Sequence, residues 1–80
     1  MTANSISPAQ CRMARAGCRI TQKALAAYAN VSIATLADFE AEKRVPYERT
    51  LRDIREALEQ RGAMFLEMSN GGRGVGIEEA

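Results

Sequence analysis

Apolar positions recur along this chain at two different spacings. From Ser7 to Gly62 they follow the three-to-four-residue period of helices, and after Gly62 they fall into two short runs separated by turn-forming residues. Ser7-Pro8 marks a helix start: the serine oxygen can accept an orphan N–H, and proline at the first helical position has no donor to waste. This helix is predicted to run to about Ala16, with Gly17 in the left-handed conformation that ends it. Thr21 opens a second helix over Gln22 to Ala29, rich in good helix formers, and Asn30, which tolerates positive φ, stops it. Asn30-Val31-Ser32 is read as a sharp turn, after which Ser32 caps a third helix, IATLADFEAE, whose apolar side is defined by Leu36 and Phe39. Pro46 closes this block. Tyr47, Leu51, Ile54 and Leu58 then share one face of a longer fourth helix ending at Gly62.

Beyond Gly62, Ala63 to Glu67 and Gly74 to Ile77 read as the strands of a β-hairpin, with Ser69-Asn70-Gly71-Gly72-Arg73 as the turn. An isolated two-stranded ribbon is marginal in water, and four small helices hide Phe65, Leu66, Val75 and Ile77 only in part. The strand edge therefore calls for a partner. Either a second copy's hairpin pairs with it across a two-fold axis, with Phe65, Leu66, Val75 and Ile77 as the dimerisation residues, or the tail frays and helix four makes the interface. The expected fold class is mainly α: a compact four-helix unit over 7–62, preceded by a tail at 1–6 and followed by the hairpin and tail at 63–80.

A chain of 80 residues has one small core and little room for a deep pocket, which argues against an enzyme. It contains no histidine, so the commonest general base is missing. Cys11 and Cys18 are too few for a structural zinc site and are not spaced as a CxxC redox pair, so they read as reduced thiols, with no metal and no cofactor expected. No apolar run is long enough to span a membrane, and the start MTANSISPAQ lacks the features of a secretory signal; the expectation is a whole, cytoplasmic chain. Net charge is +1, but the sum hides a gradient. Residues 1–37 carry Arg12, Arg15, Arg19 and Lys23 and no acid, whereas 38–80 carry seven basic and ten acidic side chains. A polyanion would meet the first half, and next Lys43, Arg44 and Arg49.

Two short helices joined by a tight turn can bury one side of the second while its amino end projects, in a width that fits the major groove of B-DNA. Ala26 is small enough to let such helices cross closely. The segment QKALAAYANVSIATLADF, Gln22 to Phe39, resembles the helix-turn-helix of the lambda-repressor and Cro-like family, often called the XRE family. Leu25, Ala26, Ala29, Val31, Leu36 and Phe39 match its core positions, Ile20-Thr21-Gln22 matches its entry to the second helix, and the resemblance covers about residues 7–61. Asn30 stands where the family usually has glycine.

The resemblance implies roles residue by residue. Ser32, Ile33, Ala34, Thr35 and Asp38 match the base-contacting positions of the recognition helix, about 32–42. Thr21, Gln22 and Lys23 at the second helix, and Lys43, Arg44, Tyr47 and Arg49 after the third, match phosphate-contacting positions. Arg15 and Glu40 match a structural ion pair between the first and third helices. Ile33 either meets thymine methyls or tucks into the core; Asp38 either accepts from cytosine N4 or faces solvent. The implied function is a double-stranded DNA-binding transcription regulator of the bacterial nucleoid: a homodimeric repressor or autoregulator of a small operon, on a palindromic operator, with a regulatory protein as a further candidate partner. A different class remains open on the same residues, an antitoxin-like interaction module that uses the hairpin.

Overall fold

A computed structural model of the chain describes residues 5–79. Its elements run α1 (Pro8–Cys18), α2 (Gln22–Ala29), α3 (Ile33–Glu40), α4 (Glu48–Glu59), β1 (Ala63–Glu67) and β2 (Arg73–Ile77). Mainly helical, it carries one two-stranded antiparallel hairpin. Among the described residues no helix is long and apolar enough to cross a membrane.

Three of the helices start as their sequences dictate. Ser7 closes a capping box with Gln10, whose backbone N–H donates to the serine oxygen while its side chain accepts from the Ser7 N–H. Thr21 Oγ1 accepts from Ala24 N at 3.0 Å, and Ser32 Oγ accepts from Thr35 N at 3.0 Å. Tyr47 precedes α4 without a side-chain cap.

Helix ends depart further from expectation. α1 continues through Gly17 to Cys18, and the left-handed residue is Arg19, at φ 60°. Gly17 instead makes room for the hairpin. A Cβ there would lie 2.5 Å from Cγ1 of Ile77, so the missing side chain lets β2 settle on α1. Asn30, at φ 59°, ends α2 as read from the sequence. α3 stops at Glu40, two residues short of the expected end, because Glu42 turns left-handed at φ 62°. α4 ends at Glu59, with 60–62 as a turn.

The core is shared by all four helices and the hairpin: Cys11, Leu25, Leu36, Ile54 and Leu58 are completely enclosed. Ile6 and Ser5 are buried too, so this part of the expected tail belongs to the packed unit; the rest of that tail, like Ala80, lies outside the described residues. Tyr47, expected on the apolar face of α4, is instead 85% exposed, since it is the cap ahead of the first helical residue and its non-helical backbone, φ −58° and ψ 151°, does not follow the face that Leu51 begins.

The hairpin pairs Ala63 with Ile77, Phe65 with Val75 and Glu67 with Arg73, so Arg73, read as turn, begins a strand. Strand alternation sends Phe65, Val75 and Ile77 inward against the core, whereas Met64 and Leu66 face out. Three of the four residues expected to form a dimer contact are thus engaged within the subunit. Gln10 fixes the hairpin from below, its Nε2 donating to Gly74 O at 3.0 Å and to Leu66 O at 3.3 Å.

Candidate functional site

α3 is held by a charged cluster at its carboxyl end. Glu40 is 3% exposed, yet each of its oxygens is met: Arg15 donates Nε to Oε2 at 2.7 Å and Nη2 to Oε1 at 2.9 Å, Gln22 Nε2 donates to Oε1 at 2.9 Å, and Cys11 Sγ donates to Oε2 at 3.1 Å. The bidentate fork is the geometry that suits guanidinium and carboxylate. Arg15 also donates Nη1 to Ile20 O at 3.2 Å, and Arg12 donates to the main-chain oxygen of Glu40. Three helices, α1, α2 and α3, are thereby tied to one carboxylate.

The electrostatics follow from that inventory. Burial pushes the Glu40 carboxyl up, but the bonds from Arg15, Gln22 and Cys11 and the charge of Arg15 outweigh it and hold the group below the usual carboxylate range. Cys11 moves the other way: burial first, then its bond to Glu40, keeps the thiol protonated well above ordinary pH. Arg15, bonded to Glu40, binds its proton more tightly still.

The amino end of α3 is open. Ser32, Ile33 and Ala34 are exposed, Ile33 by 49%, so Ile33 does not enter the core. Thr35 is half-buried at the centre of a polar chain: its hydroxyl lies 2.8 Å from Ser32 Oγ and accepts from Arg44 Nη1 at 3.4 Å. Asp38 is half-buried, and its main-chain oxygen accepts from Lys43 N at 2.8 Å. That bond and the left-handed Glu42 fold the 41–47 segment back beside α3. A groove of about 440 Å³ results, lined by Thr35, Arg44, Val45, Pro46, Tyr47 and Thr50.

Several expected site residues therefore meet and others do not. Thr35, Arg44 and Tyr47 line one groove, and Arg15 and Glu40 form their ion pair. Lys23, Lys43 and Arg49 are exposed and contribute charge without joining that hydrogen-bonded chain. Among the described residues, none of Lys23, Lys43, Arg44 and Arg49 is ion-paired, whereas Arg12, Arg15, Arg55 and Arg73 each face a carboxylate. Thr21 spends its oxygen capping α2. Gln22 is the clearest change: its amide nitrogen is committed to Glu40, which takes that donor away from the expected anchoring role.

Sequence reasoning missed Val45, an apolar side chain 87% exposed at the rim of the groove. The one available signal was its place before Pro46, which disfavours helix and favours an extended backbone at Val45. It also missed Cys11 as a donor to Glu40, since an isolated cysteine on an apolar face ordinarily reads as core. No family model matches this chain, and no curated protein resembles it significantly.

Proposed function

We propose that this chain is a sequence-specific, double-stranded DNA-binding transcription regulator arranged as in the lambda-repressor and Cro-like family, with α3 as its recognition helix. One observation carries the reading: the amino end of α3 presents Ser32, Ile33 and Ala34 to solvent, and Arg44, which no carboxylate among the described residues neutralises, bonds Thr35 there. Apolar Ile33 and Ala34 suit thymine methyls, the hydroxyls of Ser32 and Thr35 suit base edges, and Asp38 suits the amino group of cytosine. Lys23, Lys43, Arg44, Tyr47 and Arg49 supply phosphate contacts, with Thr21 and the first N–H groups of α2 beside them. Long bidentate base readers are missing from α3, so recognition leans on methyl contacts and on duplex shape. Two copies would place their α3 helices about 34 to 36 Å apart on a palindromic operator, in keeping with a repressor or autoregulator.

Selection from a random duplex library, followed by titration of the enriched site, tests this. Arg44→Ala is expected to weaken enriched and random duplexes alike and to lower the salt slope by about one unit. Thr35→Ala is expected to relax preference at one base pair by about 1–3 kcal/mol while leaving random binding unchanged. If no sequence is enriched, and every duplex binds equally at ~0.15 M salt, the reading fails.

A further inference from the structure

The segment that returns from α3 to α4 separates two cavities. On one side Arg44 and Val45 line the groove at the amino end of α3; on the other they line a cavity of about 360 Å³ between the start of α1, the end of α3 and the start of α4. Ile6, Pro8, Phe39, Val45 and Leu51 make the walls of this second cavity apolar. Ile6, Phe39 and Leu51 belong to the packed core, so that part of the wall is preformed, whereas Val45 leaves most of its surface to water.

The charges around the cavity are unequally matched. Glu42 lies 3.9 Å from Arg12 and Arg73 lies 3.3 Å from Glu67, so both have partners of opposite sign. Arg44 faces no carboxylate among the described residues. Its bond to the Thr35 hydroxyl is long, at 3.4 Å, and exposed, so it exchanges for a stronger partner at little cost. Ser7 and Pro8 bring the amino end of α1 to the same cavity, and the first turn of that helix carries no acid, so its dipole adds a small preference for negative charge.

We infer that this cavity binds an amphipathic monocarboxylate, its carboxylate on Arg44 and its apolar body against Ile6, Phe39 and Leu51. A guanidinium meets a carboxylate with two parallel N–H bonds, and the apolar walls gain by covering hydrocarbon. Glu42 on the same wall works against a dianion such as a phosphate monoester. At about 360 Å³, the space holds on the order of ten methylene-sized groups. A carboxylate there takes the guanidinium that the proposed function gives to a DNA phosphate, so such a ligand weakens duplex binding. That consequence rests on the DNA reading, whereas occupation of the cavity does not.

Calorimetry and amide NMR of the full chain with sodium decanoate, kept well below its micelle concentration, test the site. Saturable one-to-one binding with a dissociation constant below about 1 mM is expected, with shifts centred on Ile6, Phe39 and Leu51. Each methylene from hexanoate to decanoate should tighten binding about fourfold. Uncharged 1-decanol should bind the wild type about tenfold more weakly or worse, and Arg44→Gln, at an exposed position, should weaken decanoate by as much with an unchanged melting curve. Decanoate that binds while no duplex is selected would leave this site standing and sink the DNA reading alone. Absence of saturation, decanol binding as well as decanoate, an Arg44→Gln chain that binds like wild type, or shifts confined to Met64, Leu66 and Met68 would overturn the proposal. So would affinity that falls as protein concentration rises, since a second copy would then be the occupant.

Discussion

The two ends of α3 carry similar chemistry in opposite surroundings. At the carboxyl end, Glu40 is enclosed and receives donors from α1 and α2. At the amino end, Ser32, Thr35 and Arg44 share a looser chain of bonds in water, the longest 3.4 Å. Enclosed polar groups are costly to leave unpaired, while exposed ones exchange partners with solvent at little cost. The helix is therefore anchored at one end and available at the other, which is what the recognition role proposed for it would require.

The largest expected effect is at the anchored end. Glu40→Gln removes the negative charge and leaves Arg15 poorly compensated, a loss of about 3 kcal/mol, or on the order of 15 °C in melting temperature for a domain of this size. An unchanged melting curve by circular dichroism would mean the cluster is not an anchor. Acid should reproduce the loss. Because the folded Glu40 carboxyl lies below its ordinary value, its contribution is complete above the usual carboxylate range and disappears as pH falls through the lowered value. The gap in melting temperature between wild type and Glu40→Gln should accordingly shrink between about pH 6 and pH 2, and a constant gap would contradict the linkage.

Smaller effects separate packing from exposure. Gly17→Ala gains about 1 kcal/mol of helix propensity but forces Ile77 to move, at about 1–3 kcal/mol, so a net loss near ~1 kcal/mol is expected in chemical denaturation. Pairing it with Ile77→Val should recover part of that loss. At the open end, Thr35→Val should change stability by less than about 0.5 kcal/mol, because the Ser32 cap on the backbone N–H survives. A loss as large as that of Glu40→Gln would erase the distinction between the two ends.

Local signals were legible in the sequence wherever a residue acts on its own neighbours. Ser7, Thr21 and Ser32 cap from within three residues, and Asn30 bends its own backbone. Misreadings came from residues whose role is set across the fold. Gly17 looked like a helix terminator because its real constraint, Ile77, lies sixty residues away in the chain. Gln22 looked like a free donor because Glu40, which takes its amide, is eighteen positions distant. The inward and outward faces of the hairpin were equally apolar in sequence, so only the packing of β2 over α1 distinguished Phe65 from Leu66. In the candidate site, exposure of the α3 amino end followed from its pattern, but the groove depended on Glu42 reversing the chain, and glutamate does not advertise a left-handed backbone.

Gln10 joins beginnings to ends. One amide completes the first helix cap and grips both strands of the hairpin, across 56 and 64 positions. During synthesis the four helices can emerge and gather before those strands exist, leaving this side chain hydrated and the first helix only provisionally seated. Maturation to the final, closed form must wait until Gly74 has left the ribosome, so a chain stalled before that point lacks the latch.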